Sequence, residues 1–294
     1  MGMLARRMIV LSIAAACAGC ALVLGYGDPV ELGTSSGGPA DAHPPDGPEI
    51  DAAPGGDAAV DAPAEGSVPY CSTRSPRPTF CASFDGTSYL AEWSSSYTSN
   101  ARLARDTTTF TSQPASLRIA LDRTTDAGVE GDVGIDFEAF KDKPFTATIG
   151  FAMRVEAAAP QDALAVVANA LVIAAPGGPT YLLQVVCRPL GDGSTVSVGI
   201  VEVSVPQGTS TEHGPTQNIA IDQWARIELN VVIGRAGTTG NHVKVLVAGR
   251  PGFDGALTMP IGSGIPGLSL GIATVGPLTT AWALRYDDVT FDLH

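Results

Sequence analysis

The segment FTATIGFAMRV, residues 145–155, alternates apolar and polar or small side chains for eleven residues, and that two-residue period constrains the fold more than any other feature of the chain. Phe145, Ala147, Ile149, Phe151, Met153 and Val155 share one parity, and Thr146, Thr148, Gly150 and Arg154 share the other. An extended strand turns these sets to opposite faces, whereas a helix would scatter both around its axis. ARIELNVVI repeats the pattern with Ile227, Leu229, Val231 and Ile233 inward, and VKVLV adds Val243, Val245 and Val247. Pro-Gly, Gly-Asp-Gly and Gly-Thr-Thr-Gly-Asn clusters between such runs mark chain reversals. No helix of ordinary length is apparent. These observations predict an all-β, antiparallel β-sandwich over residues 70–294.

LAVVANALVIAA, from Leu164, is apolar on both parities, which predicts a central strand covered on both faces. YLLQVVCR places Tyr181, Leu183, Val185 and Cys187 on one face, so Cys187 is expected buried and reduced. Cys71 and Cys81 enclose the short loop STRSPRPTF in a chain that reads as exported, and they are expected to form a disulfide. A metal site is the competing reading of these cysteines, but no His or further Cys lies close in sequence to complete one.

The amino terminus indicates export. Arg6 and Arg7 precede an apolar run from Met8, the charge-then-apolar order of a signal segment, and small residues lead to Cys20. This end resembles the lipobox of bacterial lipoproteins, which implies a signal peptide over 1–20 and a lipidated Cys20. Ala21 after it favours the outer membrane or cell surface. The alternative is an uncleaved N-terminal transmembrane anchor, since the apolar run continues to Tyr26. Residues 21–69 are built from Ala, Pro, Gly and Asp; nine acidic residues and no Lys or Arg fall within 27–69. So few large apolar groups cannot offset the entropy of ordering, and a disordered linker is expected. Of the formal charge of -13, this stretch contributes the largest part. The mildly acidic remainder argues against sequence-independent nucleic-acid binding, which draws on Lys and Arg.

The blocks FCASFDG (80–86), ASLRIAL (115–121), FTATIGFAMRV (145–155), DQWARIELNV (222–231) and AWALRYDDVTFDL (281–293) resemble, in this order, the concanavalin A-like lectin/glucanase superfamily, nearest to its laminin-G-like jelly rolls. The resemblance covers about residues 79–293. It implies two curved antiparallel sheets and a concave face that in many members holds carbohydrate.

The stretch VEGDVGIDFE, residues 129–138, tests whether the resemblance extends to catalysis. In the glucanases a strand bearing Glu-x-Asp-x-Glu supplies nucleophile and acid/base. Aligned here, that pattern puts Gly134 at the nucleophile, and the block precedes FTATIGFAMRV where the glucanase strand follows it. Shifting the frame restores Glu130 but loses the acid/base. Val133, Ile135 and Phe137 are therefore expected to face the core, and Glu130, Asp132, Asp136 and Glu138 to face water.

Two further expectations concern ligands. Trp93 and Tyr97, in the polar stretch AEWSSSYTSN, are the candidate exposed aromatics for stacking on a sugar. In AWALRYDDVTFDL the apolar parity changes at Asp287-Asp288, which predicts a β-bulge. The glucanase resemblance implies a structural calcium at Asp287, with Asp85 a neighbour from the first strand; a hydrogen-bonded turn is the alternative role. Taken together, the sequence predicts a membrane-tethered, non-catalytic module that binds carbohydrate or another surface component. A divergent glycoside hydrolase or polysaccharide lyase, and a structural or protein-adhesion module, are the alternatives.

Overall fold

Alternating apolar positions become paired strands throughout the computed structural model, which describes residues 69–122, 129–157, 164–174, 178–190, 193–234, 240–274 and 281–294. The first strands are β1 (Phe80–Ala82), β2 (Ser95–Ser99), β3 (Ala101–Asp106), β4 (Ser116–Leu121) and β5 (Val129–Asp136). Next come β6 (Phe145–Ala157), β7 (Ala165–Ala174), β8 (Thr180–Pro189), β9 (Thr195–Val205) and β10 (Thr209–Ala220). The last are β11 (Trp224–Ile233), β12 (His242–Val247), β13 (Arg250–Ala256), β14 (Ile265–Thr274) and β15 (Trp282–Leu293). The only helical pieces among the described residues are two short 3-10 turns, Tyr70–Thr73 and Glu138–Phe140. No helix among these residues is long and apolar enough to cross a membrane.

The strands form two antiparallel sheets. One runs β13-β12-β11-β6-β15-β4-β3, with β1 added beside β15; the other runs β10-β9-β8-β7-β14-β5-β2. The chain alternates between sheets early, lays β7 to β10 consecutively in the seven-stranded sheet, and returns to the eight-stranded sheet with β11 to β13. The late strands β14 and β15 enter the middles of the two sheets, so neither sheet closes until the carboxyl end of the chain is in place. This is the β-sandwich that the alternation predicted.

Between the sheets lies one large apolar cluster. All six inward residues of the FTATIGFAMRV strand are buried in it, as are Ile227, Leu229, Val231, Ile233, Val243, Val245 and Val247. Cys187 is there as a free, fully buried thiol, its pKa pushed up to about 12 by burial. β7 is buried along both faces because β8 and β14 flank it and a second apolar cluster, centred on Val166, Val172, Leu182 and Val186, forms on the outer side of the seven-stranded sheet.

The predicted bulge sits in β15. Its register against β6 shifts between Asp287 and Thr290, and Asp288 has φ 53. β15 pairs with β4 through Trp282–Tyr286 and with β1 from Val289 to Phe291, so the bulge falls where the strand changes partners. At the chain's entry, Cys71 and Cys81 are joined by a disulfide with Cα atoms 5.8 Å apart.

The outer face of the eight-stranded sheet is ionic. Arg118, Arg285 and Arg154 stand directly opposite one another across β4, β15 and β6, an arrangement of like charges that must be compensated. Glu156 bonds both Arg118, at 2.7 Å, and Arg285; Asp106 lies 2.7 Å from Arg285, and Asp222 lies 3.1 Å from Arg154. These ion pairs are internal, which directs attention to the opposite sheet for a ligand face.

Candidate active site on the seven-stranded sheet

The outer face of the seven-stranded sheet is set by β5 and its neighbours. Val133 points into the core, so Glu130 and Asp132 share the opposite face. β5 is not an edge: β2 pairs along it, with Ser99 opposite Glu130, Tyr97 opposite Asp132 and Ser95 opposite Gly134. On its other side β14 sets Ala273, Gly271 and Ser269 against the same three positions. Here the expectation from sequence needs correction. Asp136 and Glu138 are exposed, but Glu130 is only 7% exposed and Asp132 is largely covered. The reason is that strands on both sides of β5 enclose acids that would be solvated on an edge.

A glycine sharpens the enclosure. A Cβ on Gly271 would stand 2.4 Å from Asp132 Cβ and 2.2 Å from the Gly131 carbonyl, so only glycine lets β14 approach β5 so closely. Burial lifts the Asp132 carboxyl to about 6, against hydrogen bonds from Ser269 and with Glu130 that favour its charge. The Ser269 hydroxyl donates to Asp132 Oδ2 at 3.3 Å. Glu130 and Asp132, two residues apart on one face of β5, stand close enough to influence each other's charge.

Further along the row stand two buried amides. Asn169 pairs with Ser269 across β7 and β14, and Gln184 pairs with Asn169 across β8 and β7. Gln184 Nε2 donates to Asn169 Oδ1 at 2.9 Å. Glu130, Asp132, Asn169 and Ser269 line a recess of about 10 Å³, room for one water. The polar row is flanked by apolar side chains, with Val166 and Val186 on one side and Val172, Leu182 and Val203 on the other. Neither amide was singled out from sequence, because LAVVANALVIAA and YLLQVVCR read as apolar runs in which one Asn or Gln carries no distinguishing signal.

The two candidate aromatics separate. Tyr97 lies on this face beside Asp132 and is partly exposed. Trp93 is 8% exposed and belongs to the core, edge-on to Phe80 at 4.9 Å and stacked with Phe84 at 6.1 Å. Trp93 is therefore no sugar platform: it precedes β2 at a turn where its ring closes over Phe80 of β1 and Phe84 just beyond it.

The metal candidates are brought together with Asp288. Asp287 is fully buried and its oxygens accept from the backbone N–H groups of Thr111 (2.8 Å), Ser112 (3.0 Å) and Asp288 (2.8 Å). Burial, with the charge of Asp288, raises it to about 7. These donors make it the lock of a turn and oppose a cation at the same oxygens. Asp85 differs: both carboxylate oxygens are buried without a well-formed hydrogen bond, and burial and Asp288 raise its pKa. Orphaned oxygens of this kind suit a calcium ion. No group of three or more His, Cys, Asp or Glu with metal-binding geometry occurs among the described residues.

A further buried carboxylate, also missed in the sequence, lies on the core side of β9. Glu202 accepts from Tyr181 Oη (2.9 Å), Thr258 N and Oγ1 (both 2.8 Å) and Met259 N (3.2 Å), and His213 Nε2 lies 2.8 Å away. Burial works against its charge, but these bonds outweigh it and hold its pKa below the ordinary value. It ties the segment after β13 to the seven-stranded sheet.

Fold and face together define a jelly-roll β-sandwich of two antiparallel sheets. Among solved structures the chain is similar to an endo-β-1,4-glucuronan lyase from the fungus Trichoderma reesei, with TM-score 0.53 and 12% identity over 73% of this chain and 95% of that one. It is also similar to a variant of alginate lyase Aly36B bound to alginate trisaccharide (TM-score 0.47, 12% identity, 72% and 98% covered). A third similar structure is an alginate lyase from Alteromonas sp. 272 (TM-score 0.41, 11% identity, 66% and 94% covered). No family model matches the sequence, and no curated protein matches it. The expectation of a non-catalytic binding module is corrected by two findings. The sandwich is one on which a glucuronan lyase is built, and two of the four acids assigned to water, Glu130 and Asp132, are enclosed.

Proposed function

We propose that this chain is a polysaccharide lyase, cleaving a uronate-containing glycan by β-elimination on the outer face of the seven-stranded sheet, with Glu130 and Asp132 as its acid and base. The observation that carries this reading is the enclosed pair of acids, Glu130 and Asp132, beside the Asn169–Gln184 amides. Hydrolysis by two carboxyls sets them on opposite sides of the scissile bond, about 5 Å apart for retention and about 6.5–9.5 Å apart for inversion. Elimination has a different demand: one group removes the proton beside the uronate carboxyl and another protonates the departing oxygen. Two acids enclosed side by side offer both from one side of the chain. The amides supply donors for the carboxyl oxygen, where charge develops. Tyr97 offers a ring and a hydroxyl next to Asp132. The shared fold with a glucuronan lyase supports the reading.

The signal peptide expected over 1–20, the lipidated Cys20 and all but the last residue of the linker expected over 21–69 lie outside the described residues. They enter the proposal from sequence: a lipid anchor holds the domain at the outer membrane or cell surface, where polysaccharide is found. Replacing Cys20 with Ser should abolish labelling by a radioactive fatty acid. The calcium proposal moves to Asp85 with Asp288, in a structural role away from the elimination site.

The test is to incubate the full-length protein with a panel of polyuronides and follow both reducing ends and the ultraviolet absorbance of unsaturated uronate ends. Both should rise together, and Glu130→Gln and Asp132→Asn should each abolish the rise. Reducing ends without absorbance would mean hydrolysis, and neither signal on any polyuronide would refute the lyase reading.

A further inference from the structure

Asn169 stands on the wrong side of its strand for simple alternation. The core residues Val167 and Leu171 share its parity, so an uninterrupted strand would carry its amide into the apolar core. Two register shifts in β7 prevent this. Against β8, pairing slips between Val166 and Ala168 and again between Asn169 and Leu171, and each slip leaves one extra residue, Val167 or Ala170, on the core side. Val186, Gln184 and Leu182 of β8, two apart, therefore meet Val166, Asn169 and Val172, three apart. On the other side of β7, Leu270 pairs with Ala168 and Ala273 with Val166, so Gly271 and Ile272 together pass the single residue Val167. Gly271 is the residue that closes on Asp132. The bulges thus turn Asn169 toward Gln184 and bring β14 down on β5 at the same level of the sheet.

A bulge frees backbone carbonyls from the ladder, and a buried carbonyl needs a donor. Here the donor comes from the opposite sheet. Tyr286 of β15 is fully buried, and its hydroxyl oxygen lies 2.6 Å from the Val167 carbonyl oxygen and 2.7 Å from that of Gly271. A phenol has one proton to donate, here shared between one oxygen on each bulged strand. The ring is held from its own side: Tyr286 pairs with Leu117 and Met153, packs against Phe151 at 6.1 Å, and directly precedes the Asp287 carboxyl that accepts from Thr111 and Ser112.

We propose that Tyr286 is a positioning residue for the acid pair, fixing from the opposite sheet the bulges that aim Asn169 outward and seat Gly271 over Asp132. This inference rests on the reading above in taking Glu130 and Asp132 as the site, and it extends that site to a residue of the other sheet. The consequence for chemistry is hydration. Without the hydroxyl, Gly271 loses its tie to the core, β14 is free to draw back from β5, and water reaches Asp132. The other charged groups on this face are Glu130 and Asp136 of β5 and, beyond the amides, Arg188 paired with Glu212; β2 brings Tyr97 between serines, and β14 brings Ser269 between glycines. None of these is altered by replacing Tyr286, so a changed Asp132 titration reports the enclosure itself.

The test is urea unfolding of the full-length protein carrying Tyr286→Phe and Asp132→Asn, singly and together, from about pH 3 to about pH 8. Tyr286→Phe keeps the ring and removes only the hydroxyl. Burial raises the Asp132 carboxyl to about 6, so Asp132→Asn changes how stability depends on pH. In the Tyr286→Phe background that change should shrink to about half or less, because a hydrated carboxyl titrates nearer its ordinary value. Ile227→Val, in the core on the eight-stranded sheet, is the control and should leave it whole. An undiminished Asp132 response overturns the positioning role. Failure of Tyr286→Phe to fold in either background also overturns it, since the hydroxyl would then support the whole sandwich instead of the site. In the elimination assay Tyr286→Phe should lower kcat about tenfold or more and change KM less than about twofold, because it disturbs the acid and not the outward surface. An unchanged kcat counts against the inference. No cleavage by wild type refutes the elimination reading alone, and the unfolding cycle still decides the role of Tyr286.

Discussion

Replacing Asp132 with Asn should make the protein more stable at neutral pH while abolishing elimination. Burial lifts the Asp132 pKa from 3.8 to about 6 in the folded chain. A carboxyl raised in this way is protonated in the folded state and ionised in the unfolded state between those two values. The unfolded state thus binds fewer protons there, and stability falls as pH rises through that window. About two pKa units correspond to about 3 kcal/mol, at 1.36 kcal/mol per unit. Asn keeps the size and a hydrogen-bonding group without the titration. Urea unfolding of wild type and Asp132→Asn from about pH 3 to about pH 8 reads this group together with the response of Glu130 beside it, since the other raised carboxyls, Asp85, Glu92, Asp287 and Asp288, are common to both proteins. The stability difference should be constant below pH 4, shift in the variant's favour by about 3 kcal/mol by pH 7, and then level off. A difference that does not change with pH would show that Asp132 is solvated and ionised, and the enclosed acid–base pair would be refuted with it.

Glu202→Gln should behave oppositely with pH. The amide cannot accept all the bonds made by Tyr181, Thr258, Met259 and His213, and the loss should be about 3 kcal/mol at pH 7 by urea unfolding. Because the Glu202 pKa is lowered on folding, wild type's advantage should be present above the unfolded value and vanish as pH falls through the folded one. Calcium should raise the melting temperature of wild type and of Asp287→Asn but not of Asp85→Asn, whose orphaned oxygens the ion would use; a titration that leaves all three unchanged removes the metal site. Trp93→Ala should cost about 3–5 kcal/mol in unfolding experiments, the range for deleting a buried large aromatic. Tyr97→Ala should change stability by less than about 1 kcal/mol and raise KM, a contrast that would reverse if Trp93 were the sugar platform.

Strand identity and core membership were legible because they depend on local periodicity. FTATIGFAMRV, ARIELNVVI and VKVLV each state which side is buried, and a strand has only two sides to choose between. The parity change at Asp287-Asp288 was equally local, and the bulge appears where it fell. Cys71 and Cys81, ten residues apart, were legible as a pair for the same reason.

The site was not legible, because it depends on which strands become neighbours. Read alone, VEGDVGIDFE is an amphipathic strand with a wet acidic side. Placing β2 on one flank and β14 on the other removes water from Glu130 and Asp132, and β14 comes from a segment more than a hundred residues further along the chain. Asn169, Gln184 and Ser269 entered for the same reason, as single polar residues in apolar or glycine-rich runs that acquire meaning only in one row. Trp93 left the site because a turn folds it onto Phe80 and Phe84. The sequence by itself determined the strands, the inward faces, the bulge and the likeness to a jelly roll, all encoded within a few residues. The tertiary structure decided which acids are enclosed and what stands beside them, because burial and the proton affinity it shifts are properties of a neighbourhood assembled from distant segments.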